Sequence, residues 1–405
     1  MVTQLKNIFL FLIILGSSTA QEISNSSSTI NIPSNIDIDL SGKVEFEFVD
    51  VEGQGGAINS TEFLQKIQTR SPYVRIDKAV LNFKVLYSEN ISFRFGLRFD
   101  DDNAYVDKSY LLFQKPNSKL EIGSNRPRIA LDREVEGYPL IGTAFWKGRQ
   151  YHLDYEKQLK IMNMKLGGSI ALKRPLAFDA PAEDDSYQML VYGNMPKKTN
   201  EWDGVTPEIG LRSQINFGIE NILSWGYVGQ LYDDYDWRLL YDQFTYYRYA
   251  QGQVLPKDAN RDHYWGGIRT ELDMFGLFTR AEYIVSKDGF LDRDGFYIET
   301  RRSFNNFFYN KPVLILARYG GLNIEPGGTW EAQLDDPHTW DRTMLTLAAV
   351  YDLTKYAKVK LEYYITGEKT GDTITKADSY NFGQGREYQP NMLDNQLLIQ
   401  FELNI

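Results

Sequence analysis

Charged residues two or four apart in the chain are the first sign of chemistry in this sequence. Arg94 and Arg98 flank Gly96, Arg269 precedes Glu271, Arg280 precedes Glu282, and Glu299 precedes Arg301. On an extended strand successive side chains point to opposite faces, so each such set places its charges on one face. Lys43, Lys84, Lys165, Arg212, Arg318, Lys358 and Lys360 fall on the same kind of face, as do Glu45, Glu47, Asp100, Glu208, Glu362 and Glu402. A face so charged must meet water. Two chemistries suit it: a lattice of ion pairs stiffening a wall, or fixed charges that select among ions in an aqueous passage. Arg94 and Arg98 stand apart from a lattice, because no carboxylate shares their face before Asp100.

A second concentration of charge runs from Asn125 to Ile141. Arg126, Arg128 and Arg133 alternate there with Asp132, Glu134 and Glu136, among Ile129, Ala130, Leu131, Tyr138 and Pro139. An exposed loop gains little from those apolar residues, so the segment is expected to fold inward, its opposed charges setting a transverse field that orients small ionic or dipolar solutes. Arg269, Arg280, Arg301 and Arg318 complete the expected pore lining.

Catalysis finds little support. His152, His263 and His338 are scattered, and there is no HExxH, no GxSxG elbow and no phosphate-cradling glycine loop. Cysteine is absent, which excludes thiol nucleophiles, thiolate metal sites and disulfides. Asp100–Asp102, Asp184–Asp185 and Asp233–Asp236 read as solvated loop tips or calcium sites. No enzyme activity, metal or cofactor is expected, and a net charge of −10 argues against nucleic acid as a partner.

The elements that position these charges are strands. Asn395–Ile405 alternates Leu397, Ile399, Phe401, Leu403 and Ile405 against Gln396, Gln400, Glu402 and Asn404, with Leu398 alone out of phase. The first strand sets Ile36, Ile38, Leu40, Val44, Phe46 and Phe48 against polar neighbours. Ala79–Tyr87, Ile91–Asp100, Met162–Leu172, Ile209–Phe217, Leu277–Val285, Val313–Tyr319 and Val359–Ile365 repeat the pattern. Ahead of them, Lys6, the apolar run Ile8–Leu15 and the small residues to Ala20 have the layout of a cleaved signal peptide, residues 1–20. Residues 21–35, rich in Ser, Asn and Ile, read as a lead-in without structure of its own. No later window holds eighteen apolar residues, so no helix is expected to cross a membrane.

A greasy face opposite a charged one, 14% aromatic residues and connectors that alternate short and long together predict an all-β, transmembrane antiparallel barrel over residues 36–405. The short connectors are Tyr87–Asn90, Lys115–Lys119, Glu156–Lys160, Phe217–Asn221, Asp273–Gly276 and Leu353–Tyr356. Gly53–Pro72, Asn125–Ile141, Leu322–Arg342 and Gly367–Asp394 are the long ones. Assigning Gln188–Tyr192 and Trp237–Tyr249 to loops keeps this rhythm and leaves about sixteen strands, with both termini periplasmic; counting them gives eighteen. A barrel of this size encloses water.

The stretch LEIGSNRPRIALDREVEGYPL from Leu120, followed by TAFWKGRQYHLDYEK from Thr143, is similar to the phosphate-selective porin O and P family. That resemblance implies a trimeric, sixteen-stranded outer-membrane porin of a Gram-negative cell, passing small hydrophilic solutes with a preference for anions such as phosphate. Gln21–Asn35 lacks the heptads that some members carry, and the family's cation ladder has no residue-by-residue match in this acidic chain. The expected partners are the lipid bilayer, the solute and two further copies of the chain. Two other functions fit the same sequence: a structural or adhesive barrel plugged by the loops after Lys173 and Tyr232, and an exported soluble β-protein that binds carbohydrate through its aromatics.

Overall fold

The computed structural model describes residues 36–52, 72–100, 103–131, 134–137, 139–140, 150–160, 163–172, 207–230, 262–288, 291–326, 341–369 and 391–404. The chain divides into two units, Met1–Ile36 and Asp37–Ile405, and of the first only Ile36 is among the described residues.

The strands of the second unit are β1 (Asp37–Glu52), β2 (Tyr73–Ser88), β3 (Ile91–Asp100), β4 (Asn103–Lys115), β5 (Ser118–Asn125), β6 (Gln150–Gln158), β7 (Met164–Leu172) and β8 (Pro207–Asn216). They continue as β9 (Glu220–Gln230), β10 (Asp262–Met274), β11 (Leu277–Asp288), β12 (Leu291–Phe308), β13 (Lys311–Pro326), β14 (Asp341–Asp352), β15 (Ala357–Lys369) and β16 (Asn391–Asn404). Each pairs with its sequence neighbours in antiparallel register, and β1 pairs with β16 from Lys43↔Asn404 to Glu52↔Asn395, closing a sixteen-stranded barrel. Closure leaves no unpaired edge, which is how a sheet crosses hydrocarbon with every backbone group bonded.

Alternation assigns the two faces. Leu211, Ile209, Val228, Ile268, Ile298 and Leu361 are exposed on the outside, whereas Glu45, Glu208, Glu282, Glu299 and Glu362 are buried on the inside. The connections that follow even-numbered strands are tight: Gly276 at φ 72° and Asn310 at φ 56° close two-residue hairpins at β10–β11 and β12–β13. All such turns, with Asp37 and Asn404, lie at one end of the barrel.

The sequence alternation needed two amendments. In β2 a bulge opposite Glu45 and Phe46 leaves Asp77 between Lys78 and Ile76, so the phase shifts and Arg75, Asp77 and Lys78 all serve the inner face. The expected long loops at Leu322 and Gly367 begin later, because β13 runs to Pro326 and β15 to Lys369. Gln188–Tyr192, Trp237–Tyr249, Asp184–Asp185 and Asp233–Asp236 lie outside the described residues.

Candidate functional site

The site starts where β5 stops. Gly123 holds φ at 139°, and a Cβ there would stand 2.3 Å from the Ser109 carbonyl oxygen, so only glycine lets β5 lie this close to β4. Pro127, two residues past the strand, has no N–H to extend the ladder. The chain then turns back on itself: the Ala130 N–H donates to the Pro127 carbonyl at 2.9 Å, and Arg126 Nη1 donates to the Leu131 carbonyl at 3.4 Å.

From this turn the segment reaches inner-face side chains on many strands. Arg269 of β10 donates through Nη2 to the Ile129 carbonyl at 2.7 Å, and Arg318 of β13 through Nη1 to the Gly137 carbonyl at 2.7 Å. Glu362 of β15 accepts from the Glu136 amide at 2.6 Å and the Gly137 amide at 3.2 Å, and Tyr364 OH accepts from the Gly137 amide at 3.0 Å. The Glu136 carboxylate accepts from Lys78 of β2 at 3.1 Å and Gln400 of β16 at 3.2 Å. Glu134 pairs with Arg301 of β12, and Arg128 with Glu121 of β5 at 3.0 Å and Asp154 of β6 at 3.6 Å. These partners belong to opposite sides of one closed sheet, so the segment crosses the interior.

Apolar side chains seat it. Ile129 and Leu140 pack in one cluster with Val49, Trp225, Trp265, Ile284, Tyr297, Leu322, Met344, Tyr364 and Leu398, and Val135 packs on Leu316, Ala348 and Val350. Leu398, the residue that broke the alternation of the last strand, faces inward to complete this seat. Each fully buried aliphatic side chain contributes about 1.5–3 kcal/mol.

The wall beneath the seat is a cross-strand charge ladder. Arg269 lies opposite Glu282, Glu271 opposite Arg280, Arg280 opposite Glu299, and Glu299 opposite Arg318. The bonds follow that register: Arg269 to Glu282 at 2.9 Å, Arg280 to Glu271 at 2.9 Å and Arg318 Nη2 to Glu299 at 2.6 Å. The spacing of two in sequence put these charges on one face but not into pairs, since strand neighbours two apart are about 7 Å apart and opposed residues about 5 Å. Glu282 also accepts from Trp225 Nε1 at 3.3 Å and Tyr297 OH at 3.2 Å. Further round, Arg212 makes two bonds to Asp154, at 2.5 and 2.7 Å, and lies flat over Gly167.

Between the inward segment and the β6–β11 wall is a cavity of about 370 Å³. Its cations are Arg128, Lys165, Arg212, Arg269 and Arg280, and its carboxylates are Glu134, Glu156 and Glu271. Lys165 has no ion-pair partner among the described residues. The lining thus holds five cations against three carboxylates, with one ammonium unspent.

The residues singled out by spacing divide accordingly. Arg128, Glu134, Arg269 and Arg280 line the cavity, while Arg318 and Arg301 anchor the inward segment, Arg301 also lying 4.1 Å over the Phe278 ring. Arg94 sits across from Lys84 on one side and Tyr110 on the other, with no carboxylate partner among the described residues, and Arg98 lies 5.9 Å over the Tyr105 ring. Arg133 lies outside the described residues. Lys165 and Arg212 were read as inner-face cations but not as pore lining, and Glu156 was not named; alternation shows that a residue faces inward, but not its height along the axis. The one acidic cluster with ligand-like spacing among the described residues, Glu45, Asp77 and Glu136, is occupied by the Lys78 ammonium, which pairs with all three.

A closed, even-numbered antiparallel barrel with an apolar outside, a charged inside and a segment folded across its interior is a porin-type transmembrane barrel. Solved structures share this fold. OmpF of Salmonella typhi, in a complex with daunomycin, matches with a TM-score of 0.56 at 11% identity over 92% of this chain and 98% of its own. An anion-selective porin from Comamonas acidovorans matches at 0.55 and 8% identity over 91% of this chain and 100% of its own. The trimer form of OmpT, an outer-membrane protein of Vibrio cholerae, matches at 0.53 and 10% identity over 91% and 99%. No protein-family model and no curated protein matches the sequence.

Proposed function

We propose that the protein is a passive outer-membrane porin for small hydrophilic solutes, with a preference for anions. The observation that carries this is the cavity: water-accessible, walled by the inner face of the barrel and by the inward segment, and richer in cations than in carboxylates. Charge at a constriction sets which ions enter, and Lys165, which has no ion-pair partner among the described residues, can attract an anion without first giving up a carboxylate. The named anion selectivity of the Comamonas porin, which shares the fold, supports the same direction. Phosphate is one such anion. His152, the one histidine side chain among those described, is paired with Glu121 at 3.0 Å.

In this proposal residues 1–20 direct export and are removed, residues 21–35 lead into the barrel from the periplasm, and both ends of the barrel unit face the periplasm. The chain works as a homotrimer in the bilayer, as the trimer form of the Vibrio protein suggests by analogy. An exported soluble protein would not leave Leu211, Ile209 and Val228 outside, and the Trp225–Tyr227–Trp265 cluster lies under Ile129 rather than open to a sugar. A plugged barrel is the second reading, favoured by the breadth of the inward segment's anchoring. Planar-bilayer conductance with reversal potentials in a KCl gradient and a phosphate titration decides. Anion-selective channels blocked by low phosphate support a phosphate porin, and weakly selective or cation-selective channels without block leave a general one. Absence of channels refutes the porin and leaves the plugged barrel.

A further inference from the structure

Buried His152 ends a row of charges that leads to the cavity. Directly opposite it stand Gly123 of β5 and Ala171 of β7, and its acceptor is Glu121 of β5. Glu121 Oε1 accepts from His152 Nε2 at 3.0 Å and from Asn125 Nδ2 at 2.7 Å, while Oε2 stands 3.0 Å from Arg128 Nη2. Arg128 lies 3.6 Å from Asp154, Asp154 is bonded twice to Arg212, and Arg212 reaches Glu156 at 3.2 Å. Arg128, Arg212 and Glu156 all line the cavity. Among the described residues, the other titratable or charged groups around the ring are Glu208 of β8 and Tyr110 of β4. Glu208 lies across Ala171 and accepts from Trp265 Nε1 at 2.9 Å, and Tyr110 lies across Gly123 with Arg94 beyond it.

Two features make this row responsive. An ionised carboxylate only accepts, so Nε2 carries a hydrogen in either form of the ring, and a second proton enters at Nδ1, which has no bonded partner among the described residues. Arg128 is the loosest link. Its buried Nε and Nη2 make no hydrogen bond among the described residues, so Glu121 and Asp154 hold it by charge alone, whereas two bonds fix Arg212. With a neutral ring the row sets three carboxylates against two guanidiniums, and the second proton balances it. We propose that His152 sets the ion preference of the cavity as a positioning residue acting through Glu121 and Arg128. The protonated ring takes over the neutralisation of Glu121 and leaves the Arg128 charge to the solute; beside the neutral ring, Glu121 cancels that charge. Imidazole changes charge between about pH 5 and 8, so the channel should prefer anions more strongly in acid. The proposal rests on the porin reading.

Reversal potentials in a KCl gradient read this step, with phosphate left out because its own charge changes over the same range. From about pH 8 to about pH 5.5 the anion-to-cation permeability ratio should rise about twofold at about 0.1 M salt. His152→Gln keeps an N–H for Glu121 and should flatten the profile, as should Arg128→Gln, while H263Q/H338Q should keep the step. A step that survives in H152Q belongs to another group and overturns the proposal, and one that survives in R128Q overturns the relay through Arg128. The chain has three histidines, so H263Q/H338Q carries His152 alone, and ring NMR in detergent micelles follows it whether or not H152Q folds. Its titration should coincide with the selectivity step; a ring that keeps one form over the whole range overturns the proposal. A conducting channel without a pH step overturns it and leaves the porin reading in place, whereas absence of channels overturns both.

Discussion

Lys165→Glu is the sharpest test of charge selection in the cavity, because this ammonium has no partner to lose among the described residues. A sphere of the cavity's volume has a radius of about 4.5 Å, which puts a central ion about 7 Å from a charge set back in the wall. In water at about 0.1 M salt, one unit charge at that distance is worth about 0.3 kcal/mol after screening. The substitution changes the wall by two units, so it disfavours an anion by about 0.6 kcal/mol and favours a cation equally. The anion-to-cation permeability ratio should then fall about sevenfold, and Lys165→Gln should give about the square root of that change. At about 1 M salt the screening length shrinks to about 3 Å and the fall should be only about 1.5-fold. Reversal potentials across a KCl gradient at both ionic strengths measure the ratio. An unchanged ratio at low salt removes the cavity from the conducting path, and a full sevenfold change at high salt refutes a through-space origin.

Replacing Arg94 and Arg98 together with Glu should also lower anion preference, by a factor of a few at about 0.1 M salt; unchanged selectivity in the same bilayer assay would take them out of the path. Glu362→Ala removes the shared acceptor of the Glu136 and Gly137 amides, which are charge-assisted bonds worth about 1.5–3 kcal/mol each. Hydrogen exchange at those two amides should rise by at least about tenfold, with added open-channel noise, whereas amides in β10 should keep their protection. Arg212→Met takes from buried Asp154 its two-bond guanidinium and leaves it only Arg128 at 3.6 Å, at a cost of up to about 3 kcal/mol, and should lower the urea midpoint of the refolded barrel. Adding Asp154→Asn should recover part of that loss.

The barrel was legible because each strand has lipid on one side and water on the other, which writes period two into the sequence. Ile91–Asp100 matches β3 residue for residue, and the six short connectors named from sequence all fall at turns between consecutive strands. The inward course of Asn125–Leu140 was legible from Ile129, Leu131 and Pro139, apolar residues that an exposed loop does not need. Its partners were not. Arg269 and Arg318 read as solute-facing cations, yet each is divided between a wall carboxylate and a loop carbonyl, a role set by register between strands far apart in sequence. Leu398 looked like a fault in an amphipathic strand, and it is part of the seat, with Val49 of β1. The Asp77 bulge left no mark, since the residues on both sides of it alternate correctly in their own frames.

The seam between β1 and β16 has a consequence for how the chain must be made. It joins the first and last described strands, and Glu45, opposite Glu402 in it, is contacted by Lys43 from its own strand, Lys78 from β2 and Lys360 from β15. None of these ion pairs with β15, and no hydrogen bond of the seam, can exist until the C-terminal strands have been delivered. Before then the partly assembled sheet has two raw edges, each able to join another chain. Contacts of such sequence separation form slowly. The chain therefore has to be kept apart from its neighbours until β16 is in place, and a lesion in β16 should act less as a weak spot in the finished wall than as a failure of the last step of assembly.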